Sequence, residues 1–237
     1  VGHHRAHSPL MAKAAQVVAS GQLVRLVAVM GSAAFYKPER YFADGPWRRE
    51  PGGGPILLNL IHEVHNLRML CGEVAQVQAM ASQAVRGFAV EDTVSISLRF
   101  ASGVLGSFLL SETAAGARSW EQTSQENPAY PSDADEDCYV RIGTNGVLSV
   151  PTLRLKTYPR PEERSWWKPF ELGQVGVVRE DPIQRQMAHF AAVGRGEAAP
   201  RVSVHDGLQN LIVTEAIALA AASGRTVDIP LNPKETA

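Results

Sequence analysis

Alternating apolar and polar residues in the middle of the chain constrain the fold more than any other feature of the sequence. Three stretches show this alternation, VAQVQAMASQAVR, EDTVSISLRF and GVLGSFLLSET, and short turns join them, with Ala101-Ser102-Gly103 the clearest. A period of two predicts strands, and short connections predict that neighbouring strands run antiparallel. A further stretch, CYVRIGTNGVLSV, predicts a hairpin in which Asn145-Gly146 forms a type I′ turn. We therefore expect an antiparallel meander.

Helical patterns flank these strands on both sides. Ser8 and Asp181 are each followed by proline, which predicts an N-cap and a first helical position at both places. The last helix should begin at Ser203 or at His205-Asp206. Further strands are predicted for residues 1–5, 23–35 and 226–231, and a frayed tail for 232–237. Strands in the middle and helices at the ends predict one α+β domain over residues 1–237, with an open, mainly antiparallel sheet and helices packed on one face.

Composition and charge exclude several classes of function. With 237 residues and 45% hydrophobic composition, the chain is long enough for one large domain with its own core. The net charge is -1 and Lys and Arg form no block, so we expect no nucleic-acid partner. No apolar run approaches the ~20 residues of a membrane span, so we expect no membrane partner. Two cysteines form no disulfide framework, which predicts a cytoplasmic protein, and Cys71 is expected to be a buried small hydrophobe.

The stretch GGGPILLNLIHEVH, residues 52–65, is the strongest candidate for a functional site. On a helical wheel, one apolar stripe should pack on the sheet, and the opposite side carries Asn59, His62 and Asn66. The stripe consists of Leu57, Leu60, Ile61, Val64, Leu67 and Cys71. A lone histidine in a helix is commonly a hydrogen-bonded core residue, but glycines at a helix entrance allow the backbone to approach a ligand closely. We therefore favour a functional His62 over a core histidine.

Two patterns resemble known motifs but lack the sequence context or the spacing that those motifs require. Gly194-Arg195-Gly196 resembles part of a dinucleotide fingerprint, yet it follows a helix instead of a strand, so we interpret it as a helix-ending turn. His62 and His65 are three residues apart, whereas the metalloprotease motif places its histidines four apart. His3 and His4 would point to opposite faces of a strand. We therefore predict no metal site.

The chain resembles the C-terminal half of the Gfo/Idh/MocA family of NAD(P)-dependent oxidoreductases. The likeness runs from VGHHRAHSPL through GQLVRLVAV and PWRREPGGGPILLNLIHEVHNLRMLCGEVAQVQA to SGRTVDIPL. Its most specific part is a Trp-Arg pair followed by a glycine-rich loop and a helix with a histidine. The family joins an N-terminal Rossmann domain to a C-terminal α+β domain. The resemblance therefore implies that the Rossmann domain, with its fingerprint and the lysine of a Glu-Lys-Pro motif, is missing here, and the abrupt start at Val1 favours a cut at the domain boundary.

The resemblance also implies roles for single residues around the helix. His62 matches the active-site histidine of the family. Many members carry an aspartate where Leu58 stands here, and Asn59 is a candidate to replace it. A second aspartate, three residues after the histidine, is His65 in this chain. Other implied roles are substrate binding by Asn59, Arg5, Lys37 and Arg48, and cofactor binding by Trp47, Arg48, Gly53 and Gly54.

The implied reaction is hydride transfer between the nicotinamide of NAD or NADP and a sugar, an inositol or a related cyclic polyol. A proton must leave the hydroxyl as the hydride leaves carbon, and histidine suits this because its ordinary pKa is near 6.5. Since the family's lysine is missing, His62 is expected to be a proton-transfer partner instead of the sole base. The chain alone is expected to be inactive.

The alternative function is a non-catalytic structural and oligomerisation module. Ile96, Leu98, Phe108 and Leu110 should face the helices of the domain itself. The alternate positions, which should face the other side of the sheet, also carry apolar residues, here assigned as Val94, Leu105 and Leu109. This predicts that the other face is also covered. In relatives this face pairs with a second subunit, so we expect a homodimer or homotetramer through the sheet.

Overall fold

A single sheet of ten strands organises the part of the chain that the computed structural model describes, residues 1–231. The strands are β1 Leu26–Tyr36, β2 Val74–Ser82, β3 Thr93–Phe100, β4 Leu105–Ser111, β5 Thr113–Arg118, β6 Tyr139–Gly143, β7 Gly146–Val150, β8 Arg154–Thr157, β9 Glu171–Gln174 and β10 Val227–Asp228. The helices are α1 Pro9–Ala19, α2 Glu39–Ala43, α3 Ile61–Cys71, α4 Trp120–Thr123, α5 Pro182–Gly194 and α6 Val204–Ser223. Both sets confirm the predicted α+β class.

The sheet is open and mostly antiparallel. Its strands lie in the order β10-β2-β3-β4-β1-β6-β7-β8-β9, and β5 pairs with β1 outside this path. β2, β3 and β4 form the predicted antiparallel meander, and β6 to β9 form a second one. β1 joins the two meanders: it runs parallel to β4 and antiparallel to β6. The long early strand therefore lies at the centre of the sheet.

One face of the sheet carries the hydrophobic core. Ile96 and Leu98 of β3 are buried, and so are Phe108 and Leu110 of β4, as the alternation predicts. Val94 is buried with them, because it is two residues from Ile96 and shares its face; placing it on the opposite face is wrong. α6 packs against β2 and α3 packs against β1 on this side. The opposite face of the sheet includes the exposed side chains of Leu105, Leu109, Met30 and Met80.

Capping residues set where the flanking helices begin. Ser8 accepts a hydrogen bond from the backbone N–H of Met11 at the start of α1. Asp181 caps α5 in the same way. Ser203 caps α6 in a capping box with Asp206, so the helix starts at the first of the two predicted positions. α6 ends at Gly224, which adopts a left-handed conformation that a glycine accommodates without strain.

Three local predictions are corrected. Residues 1–5 do not form a strand: His4–His7 form a 3-10 turn, because the cap of α1 follows at once and Arg5 turns inward to an ion pair. The hairpin of β6 and β7 is confirmed, but its turn is not type I′, since residues 143–146 all have negative φ. The predicted strand 226–231 shortens to β10. The predicted tail 232–237 lies outside the described residues.

The cysteines behave as small hydrophobic residues. Cys71 and Cys138 are free thiols, and both are buried in the core. Burial raises the pKa of the Cys71 thiol to about 11, so the thiol stays protonated at neutral pH.

Within residues 1–231, no helix combines the length and the apolar composition needed to cross a membrane.

Candidate active site

The helix that carries His62 begins with a π-turn. Residues Ile56–Leu60 form this turn, and α3 continues it without a break. The predicted apolar stripe is only partly buried: Leu60, Val64 and Leu67 are buried as predicted, but Leu57 and Ile61 are only half-buried. The wider π-turn explains this, because it rotates the first residues of the helix away from the positions that a regular α-helical wheel gives them. π-turns inside helices are frequent at functional sites. The turn brings Asn59 to the wall of a cavity.

This cavity has a volume of about 550 Å³. Its lining consists of Arg5, Phe35, Tyr36, Lys37, Pro38, Arg40, Tyr41, Asp44, Asn59, Glu63, Ser119, Glu121, Gln122 and Tyr130. The structure thus brings together three of the residues assigned to substrate binding, Arg5, Lys37 and Asn59. They come from the segment before α1, the end of β1 and the π-turn. Such a concave site with a few convergent polar groups suits a small polar molecule.

His62 is not among the side chains that line this cavity, although Asn59 and Glu63 on the same helix are, and it lies beside the cavity in a group of histidines. Its Nδ1 atom is 3.3 Å from Nδ1 of His3, and its ring centroid is 5.8 Å from that of His4. Burial, followed by the positive charge of Arg5, lowers the pKa of His62 to about 3. The imidazole is therefore neutral at pH 7. Within residues 1–231 its Nε2 atom has no hydrogen-bond partner, and it is not among the buried unpartnered atoms, so this nitrogen remains accessible.

Arg5 and Glu63 form a buried ion pair under the cavity. Nη1 of Arg5 is 2.5 Å from Glu63, and Nη2 of Arg5 is 3.3 Å from Glu121. The other oxygen of Glu63 accepts a hydrogen bond from the Tyr139 hydroxyl, which also accepts one from Asn66. Asn66 is therefore a buried structural residue, and its predicted place beside His62 is wrong. Burial opposes the charge of Arg5, but the carboxylates outweigh it, so the pKa of Arg5 is raised.

Lys37 also lines the cavity, and two side chains, Glu112 and Asn59, hold its ammonium group. Its ammonium group is 2.9 Å from Glu112 and donates to Oδ1 of Asn59 at 2.8 Å. It also lies 4.5 Å from the centre of the Tyr41 ring, where a cation–π contact adds to its attraction. Burial raises the pKa of Glu112, although Lys37 works against this rise. Asn59 therefore orients Lys37, whereas the side chain within hydrogen-bond distance of the His62 ring is His3.

The residues assigned to the cofactor lie on the loop before the π-turn, outside the cavity lining. Arg48 donates to the backbone oxygen of Tyr41 at 2.5 Å and stacks on its ring at 3.9 Å, so it supports the cavity wall from behind. Trp47 is 54% exposed. A Cβ at Gly53 would lie 2.2 Å from the Trp47 carbonyl oxygen, and one at Gly54 would lie 2.5 Å from Glu91. Gly53 is thus required by the backbone of the Trp47-Arg48 turn, whereas the clash at Gly54 is with the end of a flexible side chain that can move.

Sequence reasoning missed the carboxylates of the site. Glu63 appeared only as a residue between two histidines, and nothing in the spacing along the chain pairs Glu121 or Glu112 with another group. Their partners are distant in sequence, since Arg5 and Glu121 are 116 residues apart. His3 was missed for the same reason. Among residues 1–231, no set of three or more histidine, cysteine or acidic side chains is arranged to hold a metal ion.

Comparison with known proteins identifies the family. Residues 11–148 match the model of the GFO/IDH/MocA C-terminal domain, which is more than half of the chain. The chain belongs to the GFO/IDH/MocA family. This confirms the resemblance drawn from the Trp-Arg pair, the glycine-rich loop and the histidine helix.

Curated relatives of this family member include two sugar enzymes. The chain is 25% identical over 235 residues to a 1,5-anhydro-D-fructose reductase from Ensifer adhaerens, covering 96% of this chain and 63% of the relative. It is 29% identical over 177 residues to a D-apiose dehydrogenase from Paraburkholderia graminis, covering 71% of this chain and 43% of the relative. The chain therefore spans less than two thirds of the length of these relatives.

Solved structures of similar fold support the architecture. The WlbA dehydrogenase from Bordetella pertussis, in complex with NADH and UDP-GlcNAcA, has a TM-score of 0.69 at 20% identity, covering 98% of this chain and 63% of that one. A levoglucosan dehydrogenase in complex with NADH and levoglucosan has a TM-score of 0.66 at 20% identity, covering 97% of this chain and 65% of that one. At this identity the likeness shows the fold alone.

Proposed function

We propose that this chain is the substrate-binding half of an NAD(P)-dependent dehydrogenase that acts on a CH–OH group of a sugar, an inositol or a related cyclic polyol. The observation that carries the proposal is the convergence of Arg5, Lys37 and Asn59 on one cavity beside His62. The names of the curated relatives, a reductase and a dehydrogenase of sugars, support the same substrate class. The dinucleotide would be bound mainly by an N-terminal Rossmann domain of the enzyme.

The charges of the cavity favour an uncharged substrate. Arg5 is neutralised by Glu63 and Glu121, and Lys37 by Glu112. A carboxylate or phosphate on the substrate would have to compete with these carboxylates, which lie within 3.3 Å of their cations. Hydroxyl groups meet no such competition, because they can donate to the carboxylates and accept from the cations. The cavity therefore suits a polyol better than a sugar acid.

The loop before the π-turn can meet a nicotinamide cofactor. The exposed indole of Trp47 offers a flat apolar surface, and the packing of Gly53 against the backbone of Trp47 and Arg48 fixes the turn that presents it; Gly54 follows on the same loop. These residues with Arg48 would border the cofactor, which supplies or accepts the hydride when it is bound. The chain's own contribution is to bind the polyol, to orient it with Lys37 and Asn59, and to place the His62 imidazole against a substrate oxygen.

A second candidate function, a structural and oligomerisation module, is favoured by the outer face of the sheet. Leu105 and Leu109 of β4 are 51% and 44% exposed, and Met30 of the neighbouring β1 is 49% exposed. Between them lie small residues such as Ser107 and Ala28, which would let a second sheet approach closely. We propose that this face forms a homodimer or homotetramer interface, which is compatible with catalysis in the same protein.

A binding experiment tests the proposed function on the 237-residue chain. Saturation-transfer NMR with myo-inositol, glucose and glucuronate should detect the two uncharged polyols and detect glucuronate less strongly. Asn59→Ala should weaken polyol binding, because it removes a lining group and frees Lys37. Ser149→Ala, on a strand away from the cavity, is the matched control. Absence of binding by all three probes would contradict the proposal, and preferred binding of glucuronate would contradict the charge argument.

A further inference from the structure

A row of polar side chains runs from Arg68 to His62 beneath the site. Arg68 donates to Oδ1 of Asn210 at 2.5 Å. Nδ2 of Asn210 lies 3.1 Å from Nε2 of His3 and 3.0 Å from Nδ1 of His65. His3 then meets His62, Nδ1 to Nδ1, at 3.3 Å. The row joins α3, α6 and the segment before α1, and Asn210 at its centre is buried.

Arg68 fixes the direction of every hydrogen bond in this row. A guanidinium group can only donate, so the atom of Asn210 that faces it must be the carbonyl oxygen. The amide nitrogen of Asn210 then points to the two histidines and gives one hydrogen to each. Arg68 itself is held by Glu73 through two contacts of 2.7 and 2.8 Å, so its orientation is set independently of the histidines.

The two imidazoles that face Asn210 must accept at those nitrogens. Nε2 of His3 and Nδ1 of His65 therefore carry no hydrogen. A neutral His3 then carries its hydrogen on Nδ1, the atom that faces His62. Because His3 donates there, Nδ1 of His62 must accept, and the hydrogen of a neutral His62 lies on Nε2. The reverse arrangement would place an N–H of His3 against the N–H of Asn210.

We propose that Asn210 and His3 are positioning residues that hold His62 in the tautomer with its hydrogen on the accessible Nε2. His62 then meets the substrate oxygen as a hydrogen-bond donor that holds and polarises it. In this tautomer His62 does not itself take the hydroxyl proton, so the inference replaces the proton-transfer role that the resemblance implies. This inference rests on the proposed function for its role in turnover, while the tautomer itself stands on the geometry alone. It assigns a use to the histidine at position 3, and it explains what orients the His62 ring.

Burial supports the neutral state that this arrangement needs. It lowers the pKa of His3 and of His65 to about 4, and that of His62 to about 3. All three rings are therefore neutral at pH 7. The remaining nitrogen of His65, Nε2, is buried without a partner among residues 1–231, so its hydrogen is left unpaired. His65 contributes by stacking on His3, with ring centres 4.8 Å apart.

Long-range ¹H–¹⁵N correlation spectra of the 237-residue chain, labelled at its seven histidines, test the tautomers directly. At neutral pH we expect a pyrrole-type Nδ1 and a pyridine-type Nε2 for His3, and the opposite pattern for His62 and His65. The pattern of His3 is the decisive one, because a histidine in water favours the hydrogen on Nε2. A pyrrole-type Nδ1 on His62, or a pyrrole-type Nε2 on His3, would overturn the proposal.

Two variants separate this inference from the proposed function. In His3→Ala, the Nδ1 resonance of His62 should move towards that of a nitrogen without a hydrogen bond, while His189→Ala, a histidine outside the row, should leave it in place. In His3→Asn, whose amide can donate in the same direction, the shift should be largely restored. An unmoved His62 resonance in His3→Ala contradicts the positioning role. Failure of polyol binding with the predicted tautomers intact contradicts only the proposed function.

Discussion

Arg5 and Glu63 join the segment before α1 to the active-site helix through a buried contact of 2.5 Å. Neither residue could be paired with the other from the sequence, yet together they form the floor of the cavity. Removing one partner of a buried ion pair leaves an uncompensated charge, which is far more costly than losing an exposed pair.

Glu63→Ala should therefore destabilise the chain strongly. The substitution leaves the buried guanidinium of Arg5 with Glu121 as its only carboxylate partner among the described residues, and it removes the acceptor of the Tyr139 hydroxyl. We expect a loss of about 3–5 kcal/mol in the free energy of unfolding, measured by urea denaturation. The control is Asp44→Ala, which breaks an exposed pair with Arg40 and should cost about 0–1 kcal/mol. Equal effects of the two substitutions would show that the buried pair has no special importance.

Buried histidines should make stability depend on pH. The pKa of His62 falls from 6.5 to about 3, and those of His3 and His65 fall to about 4, chiefly through burial. The unfolded chain therefore binds protons below pH 6.5 that the folded chain does not, and the free energy of unfolding should fall as pH falls from 6.5 towards 4. Each histidine contributes at most about 1.4 kcal/mol per pH unit. Urea denaturation at a series of pH values measures the slope.

Glu126 should partly offset the loss of stability that the histidines cause as pH falls. Burial raises its pKa from 4.5 to about 7, so between these values the folded chain binds a proton that the unfolded chain releases. Its contribution to stability therefore grows as pH falls through that window, opposite to the histidines. Glu126→Gln, which keeps an acceptor for Ser8, should steepen the loss of stability on acidification. A shallower slope in the variant would contradict the assignment.

Gly53 should be intolerant of any side chain. A Cβ there would collide with the carbonyl oxygen of Trp47 and the Cα of Arg48, both of which are backbone atoms that cannot rotate away. Gly53→Ala should cost about 1–3 kcal/mol and change the fluorescence of the chain, because the Trp47 turn must move. Gly176→Ala, where no atom lies within 4 Å and φ is not positive, should be nearly neutral. Comparable stability of the two variants would mean that the loop has room to relax.

The proposed subunit interface predicts a change in size on substitution. Leu109→Glu places a charge at the centre of the outer sheet face and should shift the chain towards the monomer in size-exclusion chromatography with light scattering. Val178→Glu alters an apolar residue that is more exposed than Leu109 but lies outside the sheet, and should leave the mass unchanged. A wild-type chain that is already monomeric at high concentration would contradict the interface.

The sequence predicted the elements whose signal is local. Alternation placed Ile96 and Leu98 on the core face, and Ser8 marked the start of α1, because strand faces and helix caps depend on neighbours a few residues away. The parallel pairing of β1 with β4 was not predictable, since the residues between them reveal no crossover. The 3-10 turn at His4 also differed from the predicted strand, because a contact 58 residues away directs Arg5.

The site was predictable to a similar extent. Arg5, Lys37 and Asn59, which the resemblance assigns to substrate binding, lie on one cavity wall, and their role stays a prediction. The resemblance could not reveal that carboxylates neutralise both cations. The ring that contacts His62 is His3, which precedes it by 59 residues. Pairings of this kind follow from the fold and not from spacing, so they required the structure.

The most direct measurement is the turnover of His62→Ala in the enzyme that carries the dinucleotide-binding domain, with an uncharged polyol as substrate and His189→Ala as the control. Loss of the imidazole should lower kcat/KM by about 10²–10³-fold while the unfolding midpoint stays close to that of the wild type, because this group donates a hydrogen bond to the reacting oxygen. A rate equal to that of the wild type and of His189→Ala would remove His62 from the mechanism and contradict the proposed active site.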